Sequence, residues 1–263
     1  MALGSAIVTL RRQVQLAVTR CLPGRYSRGT VPLVNARGAA VLMDFGGTLD
    51  ADGVRWAVRF HTAYARVGGT LSLRAFEPIF RESDRALAQL PHVRRMGFRA
   101  MIDAQAALLR ALLPDGDSVD TGRMAELFHA EALRTVARNR AALDSLLGCT
   151  SLAVISNFTG NLEPCLSELG IRDYFDVVTD SAIHGVTKPD PMLILHTLHA
   201  LGATAQGAWI IGDNIEADIR PARALGLQTC WLAPASRPAP ANCPPTARAN
   251  RFTDVPAIVG CTA

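Results

Sequence analysis

Five short apolar runs, four of them closing on a polar residue, constrain this chain more than any other feature. They are AAVLMDFG (39–46), SLAVISNF (151–158), FDVVTDS (175–181), AWIIGDN (208–214) and LQTCWLA (227–233). Runs apolar on both faces suit strands in the middle of a parallel sheet, where neither face meets water. Segments with helical spacing lie between them, at 161–170, 190–202 and 216–226. Strands alternating with helices imply βαβ units, right-handed crossovers and a parallel sheet, the Rossmann-like α/β class with helices on both faces. The runs end at Asp44, at Ser156 and Asn157, at Asp180 and at Asp213. In open α/β sheets ligands bind outside the carboxyl ends of the strands, so these residues are expected to converge there.

Residues 51–148 interrupt the alternation. Trp56, Phe60, Tyr64 and Val67 recur at helical spacing, as do Phe76, Ile79, Phe80, Leu87 and Leu90. Ile102, Leu109 and Leu113 form a third stripe, and Met124, Leu127 and Phe128 begin a fourth. Glycine or proline marks the gaps at 68–69, 91, 114 and 116. The expected organisation is a core over 39–50 and 149–263, an all-α insertion over 51–148, and an N-terminal arm over 1–38. The Pro- and Ala-rich stretch 234–248 reads as an irregular connection, with a short element near 255–260 packing back on the core.

Charge narrows the partners. A formal net charge of +4 over 263 residues, with no long basic run, does not suggest nucleic-acid binding. No apolar stretch reaches the ~18 residues of a membrane span. Six cysteines at 21, 149, 165, 230, 243 and 261 form no C-x-x-C pair, so reduced thiols in a cytoplasmic protein, monomer or homodimer, are expected. Lys188 is the only lysine, so chemistry that needs an amine has one candidate.

Four motifs fall at strand ends in order: Asp44-Phe-Gly-Gly-Thr48-Leu49, Ser156-Asn157, Lys188-Pro-Asp-Pro, and Gly212-Asp213-Asn-Ile-Glu-Ala-Asp218. In this order, with a helical insertion after the first, the chain resembles the haloacid dehalogenase superfamily of hydrolases over roughly 39–233. The resemblance implies a mobile helical cap over 51–148 and a small phosphorylated substrate. It makes Asp44 the nucleophile, since a carboxylate can attack phosphorus and split one hard displacement into two easier ones. Ser156 and Asn157 would act on the transferring group, and Lys188 would screen the crowded negative charge. Asp44, the Gly46 carbonyl, Asp213 and Asp218 would hold Mg²⁺, a hard ion that takes oxygen ligands. Gly47, Thr48 and Arg95 are candidates for substrate binding, Arg95 from the basic stretch PHVRRMGFR that also carries Arg94 and Arg99.

One position departs from the pattern. Phosphatases of this superfamily carry a second Asp two residues after the nucleophile, which protonates the leaving oxygen; here that residue is Gly46. Such acid–base help is worth about 10²–10⁴-fold. Three possibilities stay open at this point. One is a Mg²⁺-dependent phosphatase whose substrate needs little protonation, or in which Asp50 or Asp52 substitutes. Another is a dehalogenase-like hydrolase, although the acidic fourth motif looks built for a metal that dehalogenases do not need. The third is a phosphate-binding protein with weak turnover. A phosphonate hydrolase is excluded, because it would use a cap lysine and 51–148 contains none.

Overall fold

The computed structural model describes residues 40–261. The expectation for an arm over 1–38 lies outside them. A six-stranded, wholly parallel sheet forms the centre: β1 (Val41–Met43), β2 (Leu152–Ser156), β3 (Val177–Asp180), β4 (Trp209–Gly212), β5 (Gln228–Leu232) and β6 (Ala247–Ala249). The spatial order is β3-β2-β1-β4-β5-β6. The order reverses at β1, which pairs with β2 on one side and β4 on the other, and such a switch point opens a crevice at the strand ends.

Strand periodicity explains the layers. Val41 and Met43 join Leu152, Val154 and Ile211 in one hydrophobic cluster, while Leu42 joins Ala153, Ile155 and Ile210 in another. Successive side chains of a strand point to opposite faces, so both faces of the sheet need cover. On the second face α7 (Pro191–Leu201) supplies Leu193, Ile194 and Leu198, and α8 (Arg220–Leu225) supplies Ala222. On the first face lie α5 (Leu162–Glu168), with Leu162 and Leu166, and the last turns of α4 (Thr121–Leu147), with Leu143 and Leu146.

Four helices stand between β1 and β2: α1 (Trp56–Arg66), α2 (Leu73–Ala88), α3 (Phe98–Leu112) and α4. Their interior is aromatic. Phe60 stacks on Phe128 at 4.2 Å between ring centroids, and Phe76, Phe80 and Phe98 are buried with them. Short α6 (Ser181–His184) follows β3, and α9 (Val255–Ile258) closes the described chain. No helix among the described residues is long and apolar enough to cross a membrane.

Two expectations need correction. The stretch expected to be irregular ends in β6, which pairs with β5 through Cys230–Ala247, Trp231–Arg248 and Leu232–Ala249. An Ala-Arg-Ala edge strand carries too little apolar pattern to announce itself, and the pairing partner alone defines it. The cysteines are not all reduced: Cys149 and Cys261 are joined, with Cα atoms 6.1 Å apart and a sequence separation of 112. Sequence spacing cannot show a pair that only the fold brings together. Cys165, Cys230 and Cys243 are free and buried.

Candidate active site

The loop after β1 sets the floor of the site. Asp44 leaves the strand in extended conformation, and Phe45–Leu49 then make one wide turn. Gly47 has φ of +96°, open to glycine at little cost, and a Cβ there would stand 2.8 Å from the Asp213 carboxylate. A side chain at 47 would therefore both strain the turn and displace Asp213. Gly212 has a similar duty at the end of β4, where a Cβ would lie 2.3 Å from Asp218. Its bareness lets the Asp218 carboxylate fold back under the strand end and accept from the Asn214 N–H at 3.1 Å. The Trp231 indole N–H donates to the Asp213 carbonyl at 2.9 Å and fixes the adjacent backbone.

Around Asp44 the expected partners assemble. Lys188 Nζ donates to Asp44 Oδ1 at 2.7 Å, to Asp218 Oδ1 at 2.6 Å and to the Ile155 carbonyl at 3.0 Å. Ser156 Oγ donates to Asp44 Oδ1 at 3.0 Å, and Thr48 Oγ1 to Asp44 Oδ2 at 3.3 Å. Asn157 works one step back. Its side chain donates to the Lys188 carbonyl and accepts from the Lys188 N–H, each at 2.8 Å, so it positions the lysine loop.

Carboxylate oxygens of Asp44, Asp213 and Asp218 lie within 4.8 Å of one another, all buried. Burial, followed by the charges of Asp44 and Asp218, holds the Asp213 carboxyl well above the usual carboxylate range. Asp218 is pushed up to about 6 by burial, with Lys188 opposing and Asp44 reinforcing the shift. Burial by itself would lower the Lys188 ammonium, but Asp218 and Asp44 outweigh it and hold it raised, so the lysine stays charged. One ammonium thus faces three carboxylates. Asp213 accepts only a long hydrogen bond of 3.5 Å from Thr48 among side chains. A hard divalent cation fits this donor set: three oxygen ligands in a buried cluster with excess negative charge.

The site opens into a cavity of about 550 Å³. Asp44, Ser156, Lys188, Asp213 and Asp218 line its floor, and the wall contributed by the inserted helices includes Arg55, Phe80, Arg81, Asp84 and Met101. Arg95 is not among the lining residues; it sits exposed in the short turn Val93–Arg95, and Arg99 is paired with Asp103. Asp180, expected at the crevice, instead accepts backbone N–H groups of Gly160, Leu162 and Ala182, and so caps the loops after β2 and β3.

Neither acidic residue just past the turn takes the missing acid's place. Asp50 is buried and accepts from the Gly47 N–H at 2.8 Å, Trp56 Nε1 at 2.8 Å and Arg59 at 2.5 Å. Asp52 pairs with Arg138 and accepts from the Phe252 N–H. Neither lines the cavity. The space beside Gly46 belongs to Trp56, whose indole Nε1 and Cε2 lie 3.3 and 3.4 Å from where a Cβ would stand. Helical spacing marks Trp56 as a core aromatic, and nothing in the linear pattern places it against Gly46.

This architecture and donor set define an α/β protein with a buried, metal-suited acidic site at the switch point of a parallel sheet. The haloacid dehalogenase-like hydrolase family model matches residues 39–226, and the chain belongs to that family. A haloacid dehalogenase-like hydrolase domain-containing protein 3 from Bos taurus is 37% identical over 93 residues, which is 34% of this chain and 37% of the relative. The pyrimidine 5'-nucleotidase YjjG of Escherichia coli is 30% identical over 134 residues, 49% of this chain and 60% of the relative. The matched segments thus span from about a third to three-fifths of these relatives' own lengths. Among solved structures, a dehalogenase with an intermediate complex superposes with a TM-score of 0.59 at 16% identity, over 88% of this chain and all of the other; that likeness is one of fold.

Proposed function

We propose that the chain is a Mg²⁺-dependent phosphohydrolase acting on a small phosphorylated molecule through an aspartyl-phosphate at Asp44, with 51–148 as a cap over the substrate. The observation that carries this is the meeting of Lys188 with Asp44, Asp213 and Asp218 on the floor of the cavity. A halide-displacing site has no need of three clustered carboxylates, and the Escherichia coli relative is named a nucleotidase.

Asp44 would attack phosphorus, forming the carboxyl O–P bond as the bond to the leaving oxygen breaks. Water then attacks phosphorus, the O–P bond to Asp44 breaks, inorganic phosphate leaves and the carboxylate returns. Ser156 and Lys188 hold the attacking carboxylate in one rotamer, which removes part of the entropic cost of reaching the reactive geometry. Lys188 also reduces the repulsion between carboxylate and phosphate. Asp44, Asp213, Asp218 and the Gly46 carbonyl would hold Mg²⁺, which supplies Lewis-acid charge to the phosphoryl oxygens.

The test is a screen of phosphate monoesters with and without Mg²⁺. Metal-dependent phosphate release is expected, and Asp44→Asn should lower it by about 10³-fold or more while the fold persists by circular dichroism. Metal-independent halide release from 2-haloacids, with no phosphate release, would refute it.

A further inference from the structure

We propose that Trp56 is a specificity-determining residue that restricts this enzyme to phosphoryl donors whose leaving oxygen departs as a stable anion, aryl phosphates above all. The inference rests on the phosphohydrolase reading and names its substrate class.

Gly46 has φ of −75° and ψ of 112°, values open to any residue, so the backbone does not require glycine there. The indole does. Trp56 fills the volume beside Gly46 and is held from several sides. Its N–H is spent on Asp50 at 2.8 Å, and its ring meets Phe45, Phe98, Phe128 and Phe158 edge-on at 5.3–6.3 Å between centroids. The ring is half-buried, with one side on the cavity and the others held by these contacts, which fix its position beside Gly46.

The proton donors next to Asp44 are already committed. Lys188 bridges two carboxylates and Ser156 donates to Asp44. Asp213 and Asp218 belong to the acidic cluster, and Glu77 is paired with Arg55. Asp84, on α2, lies on the helical wall of the cavity. On the Gly46 side the leaving oxygen therefore departs beside the indole, with no donor supplied by the loop after β1.

The step balances without one. Asp44 bonds to phosphorus, the P–O bond breaks, and its electron pair leaves with the oxygen as an anion. Water later gives its oxygen to phosphorus and its proton to solvent. Phenolate tolerates this and alkoxide does not. Trp56, Phe80, Leu87, Met101 and Phe158 line the cavity with apolar surface that suits an aromatic ring. Stacked or edge-on aromatic pairs add attraction beyond burial.

The test is kcat/KM, with Mg²⁺ present, across substituted phenyl phosphates from acidic to weakly acidic phenols, with an alkyl phosphate at the far end. A steep fall is expected, by about 10²–10⁴-fold from the most acidic phenol to the alkyl ester, the range a missing general acid leaves uncorrected. Gly46→Asp by itself should recover little alkyl turnover, because the indole crowds the new side chain. Gly46→Asp combined with Trp56→Ala should raise alkyl turnover by about tenfold or more and add a pH limb in kcat. Independently of turnover, 4-nitrophenyl phosphate should quench tryptophan fluorescence of the Asp44→Asn protein, and lose most of that quench when Trp56→Phe is added. A flat leaving-group dependence in the native enzyme overturns the inference and leaves the phosphohydrolase standing. A dependence that steepens in Asp84→Asn also overturns it, by showing that α2 supplies the proton. No turnover of any monoester overturns both.

Discussion

Lys188 stands between Asp44 and Asp218 with no other lysine in the chain to replace it. Its removal leaves three buried carboxylates facing one another. Breaking a buried ion pair from one side typically costs about 3–5 kcal/mol, since the remaining charge stays desolvated. Lys188→Met should therefore lower the melting temperature in chelator, and millimolar Mg²⁺ should recover more of it than in the native protein. A variant that melts with the native protein in EDTA would show that the acidic cluster carries no such tension. Lys188 is legible in the sequence as the sole amine, three residues before the start of α7. Trp56 is not: its helical spacing describes which stripe it shares, and its contact with Gly46 exists only after α1 docks.

At the scale of elements, one buried carboxylate ties the first strand's turn to the inserted helices. Asp50 follows the turn Phe45–Leu49, and it accepts from Trp56 and Arg59, both on α1. Arg59 also donates to the Phe128 carbonyl on α4 and lies 4.0 Å over the Phe128 ring. Arg59→Met should destabilise by about 3–5 kcal/mol in urea denaturation, and adding Asp50→Asn should return part of the loss, because these two charges are one unit. A single-variant cost near that of an exposed pair, about 0–1 kcal/mol, would contradict the burial. Periodicity announces α1 through Trp56, Phe60 and Tyr64. The role of Arg59 is hidden from it, since an arginine in an amphipathic helix reads as solvent-facing, and only the packing of α1 on α4 encloses it.

For the molecule as a whole, buried acids set the pH response. The carboxyls of Asp50, Asp180, Asp213 and Asp218 are each raised, first of all by burial. A raised carboxyl binds its proton more tightly folded than unfolded, so its stabilising effect is present at low pH and is lost as pH climbs through the folded value. For Asp218 that window runs from 3.8 to about 6. The metal-free protein should accordingly show a falling urea midpoint from about pH 4 to about pH 7, with Mg²⁺ restoring most at the upper end. A midpoint that climbs steadily over this range in chelator would mean that the cluster is solvated.

The sequence by itself determined the sheet, its parallel sense, the inserted helices and the identity of the chemical groups, because strand and helix periodicities and the glycine turns are local properties of the backbone. It also placed Asp44, Ser156 and Asp213 at one rim, since strand ends in such a sheet share an edge, whereas Lys188 was placed there by the resemblance of its motif and Asp180, expected there too, caps loops instead. Only the tertiary structure decided what fills the gap left by Gly46, which acids are sealed away from the cavity, that Cys149 meets Cys261, and that an Ala-Arg-Ala segment completes the sheet. Those outcomes depend on contacts between segments remote in sequence, whose geometry arises when side chains of different elements compete for the same volume.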